Sequence, residues 1–102
     1  MPLSEPQKKH LRRLAHPLHP IVVVGSGIEE PGKMEAITRE LDGALTAHEL
    51  VKVGSRLGDR ETRDAVFATL LNATGSELVQ RIGNLGVFYR PRQDDPRIIL
   101  PD

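Results

Sequence analysis

The chain contains no cysteine and no tryptophan, and its only aromatics are Phe67, Phe88 and Tyr89. Without thiols there are no disulfides and no zinc–thiolate sites, and the core must be aliphatic. Three aromatics leave little for recognition by base stacking of the kind that aromatic-bearing RNA-binding sheets use. Net charge is missing too: 14 basic and 14 acidic residues cancel, which argues against indiscriminate coating of nucleic acid. No apolar run approaches the roughly 20 residues that cross a bilayer. The polar, charged start has no signal-peptide core, so a soluble cytoplasmic protein is expected.

What is present suffices for a single domain. A chain of 102 residues buries roughly two-thirds of its unfolded surface. The cancelling charges are unevenly spread. Residues 1–27 hold four bases against one acid, 28–50 two against six, 51–60 three against one, and 76–93 three against one. A neutral total can thus hide a basic face opposite an acidic one, although solvated charge with no partner would read the same way.

Ser4-Glu5-Pro6-Gln7 has the form of a capping box, with Pro6 in the first turn. The helix it opens is expected to run to about Ala15, because Pro17 pushes His16 toward extended backbone. Leu11 and Leu14 would face inward, while Lys8/Arg12 and Lys9/Arg13 stand four apart on the outer faces. Ile21-Val22-Val23-Val24 reads as a strand covered on both faces, as a central strand would be. It stops at Gly25-Ser26-Gly27. After Pro31 and Gly32, Met34, Ile37, Leu41, Ala44 and Leu45 recur at helical spacing to about Ala47.

A second strand is expected over residues 49–53, stopped by Gly54. Asp59 caps a third helix whose buried stripe is Val66, Phe67, Leu70 and Leu71, with Gly75 closing it. Residues 77–82 and 87–89 form a hairpin around Gly83-Asn84-Leu85-Gly86. In the polar, proline-rich tail (92–102), Ile98-Ile99-Leu100 is expected to dock as a short edge strand. The order α-β-α-β-α-β-β predicts an α/β fold: one domain with a mixed four-stranded sheet and packed helices. Strands one to three run parallel through right-handed crossovers, and strand four returns antiparallel.

Enzyme chemistry finds no foothold. Gly25-x-Gly27 between strand and helix invites a dinucleotide-binding reading, but the third glycine of that fingerprint falls on Glu30. With Glu29 it would set two negative charges where a pyrophosphate must sit. There is no P-loop and no metal-ligand spacing among the four histidines, and Ser26 has no evident base. No catalytic residue, cofactor, metal or membrane partner is expected.

Anion binding is better supported. A strand emptying into a glycine turn leaves backbone N–H groups that an anion can approach closely. Lys8, Lys9, Arg12 and Arg13 place four bases within six residues with no acid among them. Phosphate contacts are therefore expected from these four and from the turn Gly25, Ser26 and Gly27, with Lys52, Arg60 and Arg90 adding charge. For Arg60, ion pairing with Asp64 at i, i+4 is an equal alternative.

Ala15-His16-Pro17-Leu18 with Pro20, the β-run into Gly25, His48-Glu49-Leu50-Val51-Lys52-Val53 and the closing Tyr89-Arg90-Pro91 resemble the CRM domain, an RNA-binding family that includes YhbY-like bacterial proteins. The resemblance runs from about Leu3 to Pro91. It implies a fold similar to the C-terminal domain of bacterial translation initiation factor three. It also implies binding of structured RNA, with ribosomal RNA in large-subunit precursors as the target. The family usually carries Gly-x-x-Gly after strand one, resembling the backbone-clamping loop of KH domains. Here the stretch is one residue shorter, and Glu29 and Glu30 follow it. A reading from another class is a protein-interaction module docking through its acidic second helix and the Ile98–Leu100 segment.

Overall fold

The computed structural model describes residues 2–102. Its elements are α1 (Glu5–Ala15), β1 (Val22–Val24), α2 (Lys33–His48), β2 (Leu50–Ser55), α3 (Arg60–Thr74), β3 (Glu77–Ile82) and β4 (Leu85–Tyr89). The expected order holds, and so do the caps. The Gln7 N–H donates to Ser4 Oγ while the Gln7 side chain accepts from the Ser4 N–H, closing the capping box of α1. Asp59 accepts from the Thr62 N–H and hydroxyl, and the hydroxyl bond is the main reason its carboxyl is held below the usual range. Gly75, at φ +65°, ends α3 in left-handed backbone.

The sheet order is β1-β2-β4-β3. β1 and β2 are parallel, while β4 is antiparallel to both its neighbours. β4 therefore slots between β2 and β3, so only the first two of the three co-directional strands pair directly. β1 is the edge of the sheet and not a covered central strand. Its middle residue, Val23, is 39% exposed, while Val22 and Val24 are buried. β2 does not stop at Gly54; it pairs through to Ser55.

Period-two alternation sorts the sheet into two cores. On one face, Val51, Val53 and Phe88 pack with Leu41 and Leu45 of α2 and Val66, Phe67 and Leu70 of α3. Phe67 and Phe88 meet edge to face at 5.6 Å. On the other face, Leu50, Val79, Val87 and Tyr89 pack against Leu11 and Ala15 of α1. Leu14, expected inward, is 40% exposed. Helices α2 and α3 thus share one face, and α1 has the other to itself.

The tail docks without forming a strand. Ile98 and Leu100 pack against the α1-side core, while Ile99 is exposed. A buried carboxylate holds the segment. Glu49, fully enclosed just after α2, accepts the backbone N–H groups of Arg97 (2.8 Å), Ile98 (3.1 Å) and Arg92 (3.3 Å). Its own backbone sits at φ +66°, a region costly for a non-glycine residue and kept only where surroundings impose it. Burial, then the negative charges of Glu49 and Glu77, push the Tyr89 hydroxyl's pKa up from its ordinary value.

Candidate nucleic-acid interface

Beside α1 the sheet face opens into a groove of about 460 Å³. Lys9, Arg12, Arg13 and His16 line one side. They occupy positions i, i+3, i+4 and i+7 of one helical stripe. Lys52 of β2 joins them from the sheet, because Leu50, Lys52 and Gly54 alternate onto this face while Val51 and Val53 point to the other core. Gln80, Ile82, Leu85 and Val87 form the floor. Among the described residues no carboxylate lines this groove.

Like charges at i, i+4 repel by a few tenths of a kcal/mol per pair. The negative end of the helix dipole offsets part of this for Arg12 and Arg13, which sit in the last turn of α1. Lys52 lies off that axis and has no such compensation. An anion in the groove would relieve the repulsion among all of them. Among the described residues no three or more His, Asp or Glu side chains are placed to hold a metal ion, and no helix is long and apolar enough to cross a membrane.

The remaining expected contacts scatter. Lys8 is half-buried on the flank of α1 outside the groove lining. Arg60 opens α3, across the sheet from α1; it is 78% exposed, and its Nε stands 3.9 Å from Asp64. That is the expected i, i+4 pair, and Asp64 also lies 2.8 Å from Arg81, a charge contact more than an aligned hydrogen bond, with the Arg81 guanidinium over the Phe67 ring.

Arg90 requires a correction, because it faces inward and is committed to the fold. Its Nη1 donates to Asp42 Oδ1 (2.7 Å) and the Thr74 carbonyl (2.8 Å). Its Nη2 donates to Thr46 Oγ1 (2.9 Å) and the Asp42 carbonyl (3.1 Å). Those bonds use all four terminal N–H groups of the guanidinium. Arg90 staples the end of α3 to α2 and has little left for a phosphate.

The turn Gly25, Ser26 and Gly27 leaves edge strand β1 where Val24 pairs with Ser55. None of the three residues lines the groove. Gly27 has φ +85°, and a Cβ there would come within 2.5 Å of Glu30 Oε2. The Glu30 carboxylate is therefore folded back onto the turn, and the Glu30 N–H is already spent on the Gly27 carbonyl. A phosphate approaching these amides meets a negative charge, so the weight of anion binding moves to α1.

Sequence reasoning missed His16, Gln80, Ile82 and Leu85. The first was within reach, seven residues after Lys9 on the same stripe. The others became neighbours of α1 only through the strand order.

The CRS1/YhbY (CRM) domain profile matches residues 3–90. An RNA-binding protein of Haemophilus influenzae is 38% identical over 97% of this chain and 95% of its own length. A probable RNA-binding protein of Bacillus subtilis, YqeI, is 36% identical over 97% of this chain and 99% of the relative. The solution structure of a Staphylococcus aureus protein, described as hypothetical with a suggested RNA-binding role, superposes with a TM-score of 0.78. It is 37% identical and covers 98% of this chain and 100% of that one. Fold, length and sequence agree, and the chain belongs to the CRS1/YhbY (CRM) domain family.

Proposed function

We propose that this protein is a non-catalytic RNA-binding module that engages ribosomal RNA in precursors of the large ribosomal subunit. The observation that carries the RNA reading is the groove, where Lys9, Arg12, Arg13, His16 and Lys52 converge with no acid among them. Relatives named as RNA-binding proteins support it. The ribosomal target rests on the family resemblance alone. Acidic α2 lies across the sheet from the groove, so an approaching polyanion meets the cationic face without crossing the carboxylates of Glu35 and Glu40.

The protein-docking alternative gains no such support. Ile98 and Leu100 are turned into the core, which leaves Ile99 as a lone exposed side chain, and Asp42 of α2 is spent on Arg90.

Binding to protein-free large-subunit ribosomal RNA, measured from low to moderate salt, tests the proposal. Affinity should fall steeply and log-linearly with salt as counterions return to the phosphates. Retention on precursor particles with no affinity for the bare RNA would point instead to a protein partner. Arg90→Ala should lower unfolding stability by about 2 kcal/mol, from charge-assisted bonds that are partly solvent-screened. The salt slope of that variant should match the wild type. Denaturation and binding series on the same preparation check both parts.

A further inference from the structure

We infer that the groove beside α1 receives the base of one unpaired nucleotide of the bound RNA, with the Gln80 carboxamide reading its edge. This rests on the RNA-binding reading above and adds a ligand-specific feature to it. The register carries the inference. Gln80 pairs with Val87, and Val87 with Lys52; one step along, Ile82 pairs with Leu85, and Leu85 with Gly54. The floor is thus two neighbouring rows on one face. The first holds a cation and an amide either side of a valine, and the second is apolar. Rows on one face of a sheet stand about 7 Å apart, and Lys52 and Gln80, two strands apart, are separated by about 10 Å.

Phosphate contacts explain the cations but not the floor. Ile82 is 58% exposed, and an aliphatic surface under a cationic rim gains nothing from phosphate oxygens. It gains from the flat apolar face of a base. In a duplex those faces are stacked and hidden, so only a bulged or looped-out nucleotide offers one. The volume of about 460 Å³ lies within the roughly 300–1,000 Å³ of small-ligand sites. The charge complementarity of the rim selects a base that arrives with its phosphate.

Gln80 carries the one carboxamide of the lining among the described residues. Its carboxamide offers a donor and an acceptor side by side, the complement of an edge such as adenine N6/N7. No Phe, Tyr or Trp lines the groove among the described residues, since Phe67 and Phe88 lie in the core on the opposite face; the imidazole of His16 is the one aromatic ring at the rim. The contact is therefore aliphatic packing plus an edge bond.

The test compares three RNA hairpins by fluorescence anisotropy, each closed by a nucleotide-free glycol linker so that no loop base is unpaired: fully paired, carrying one bulged adenosine, and carrying an abasic residue at the bulge. The bulged adenosine should bind about tenfold tighter than the paired hairpin, near the lower end of base-stacking effects. The abasic hairpin should lose most of that gain. Ile82→Ser, at an exposed position, should bring the bulged-to-paired ratio toward one, and Gln80→Ala should flatten preference among the four bulged bases. Equal affinity for paired and bulged RNA with a steep salt slope would overturn the base site and leave RNA binding standing. So would a ratio that both variants preserve. No binding to any hairpin or to bare ribosomal RNA would overturn both.

Discussion

Replacing Lys9, Arg12 and Arg13 together by alanine should lower RNA affinity by on the order of a hundredfold at moderate salt, and flatten the salt dependence. Each phosphate contact contributes about 0.7–0.9 to the slope of log K against log salt, so three lost contacts should remove about two to three units of slope. The fold should survive, because Lys9 and Arg13 are exposed, Arg12 is half-buried, and the inward anchors Leu11 and Ala15 are untouched. Removing like charges on one stripe also takes away repulsion. Lys8→Ala, outside the groove lining, should cost several-fold less than any one of the three. Titrations at three or more salt concentrations check both statements; an unchanged slope in the triple variant would remove α1 from the interface.

Glu49→Ala should cost about 3 kcal/mol of unfolding free energy. The carboxylate is fully buried and accepts three backbone N–H groups of the tail. Charge-assisted bonds of this kind contribute roughly 1.5–3 kcal/mol each, but the tail can detach and return its amides to water, so the sum is not lost in full. The damage should spread to α1, since Ile98 and Leu100 pack in the same cluster as Leu11 and Ala15. Glu49→Gly should be milder by about 1 kcal/mol, because glycine adopts φ +66° without the penalty that alanine meets there. Urea denaturation of both variants, with hydrogen exchange at residues 92–100, checks the order. Alanine proving no worse than glycine would mean the backbone carries no strain.

Local signals were legible wherever they are chemically sharp. The Ser4 capping box, the Asp59 cap, the Gly75 stop and the bounds of β3 all follow from neighbouring residues. What failed needed the third dimension. Ile21-Val22-Val23-Val24 looks like a covered strand by composition, yet β1 sits at the edge because β4 takes the place between β2 and β3. Arg90 looks like a free cation until the ends of α2 and α3 converge on it. Glu49 stood inside a recognised motif with no role, because its three partners lie more than 40 residues away in the chain. The four bases of α1 were legible as a cluster. That Lys8 stands aside while His16 and Lys52 join the others follows from how the helix lies on the sheet.

The most direct test of the central claim, that the α1 groove is where RNA lies, is an NMR titration of the labelled protein with a bulged RNA hairpin. Shift changes should cluster at residues 9–16, at Lys52 and along residues 80–87, with the outer surface of α2 unmoved. Changes confined to α2, α3 or the tail, with α1 silent, would contradict it.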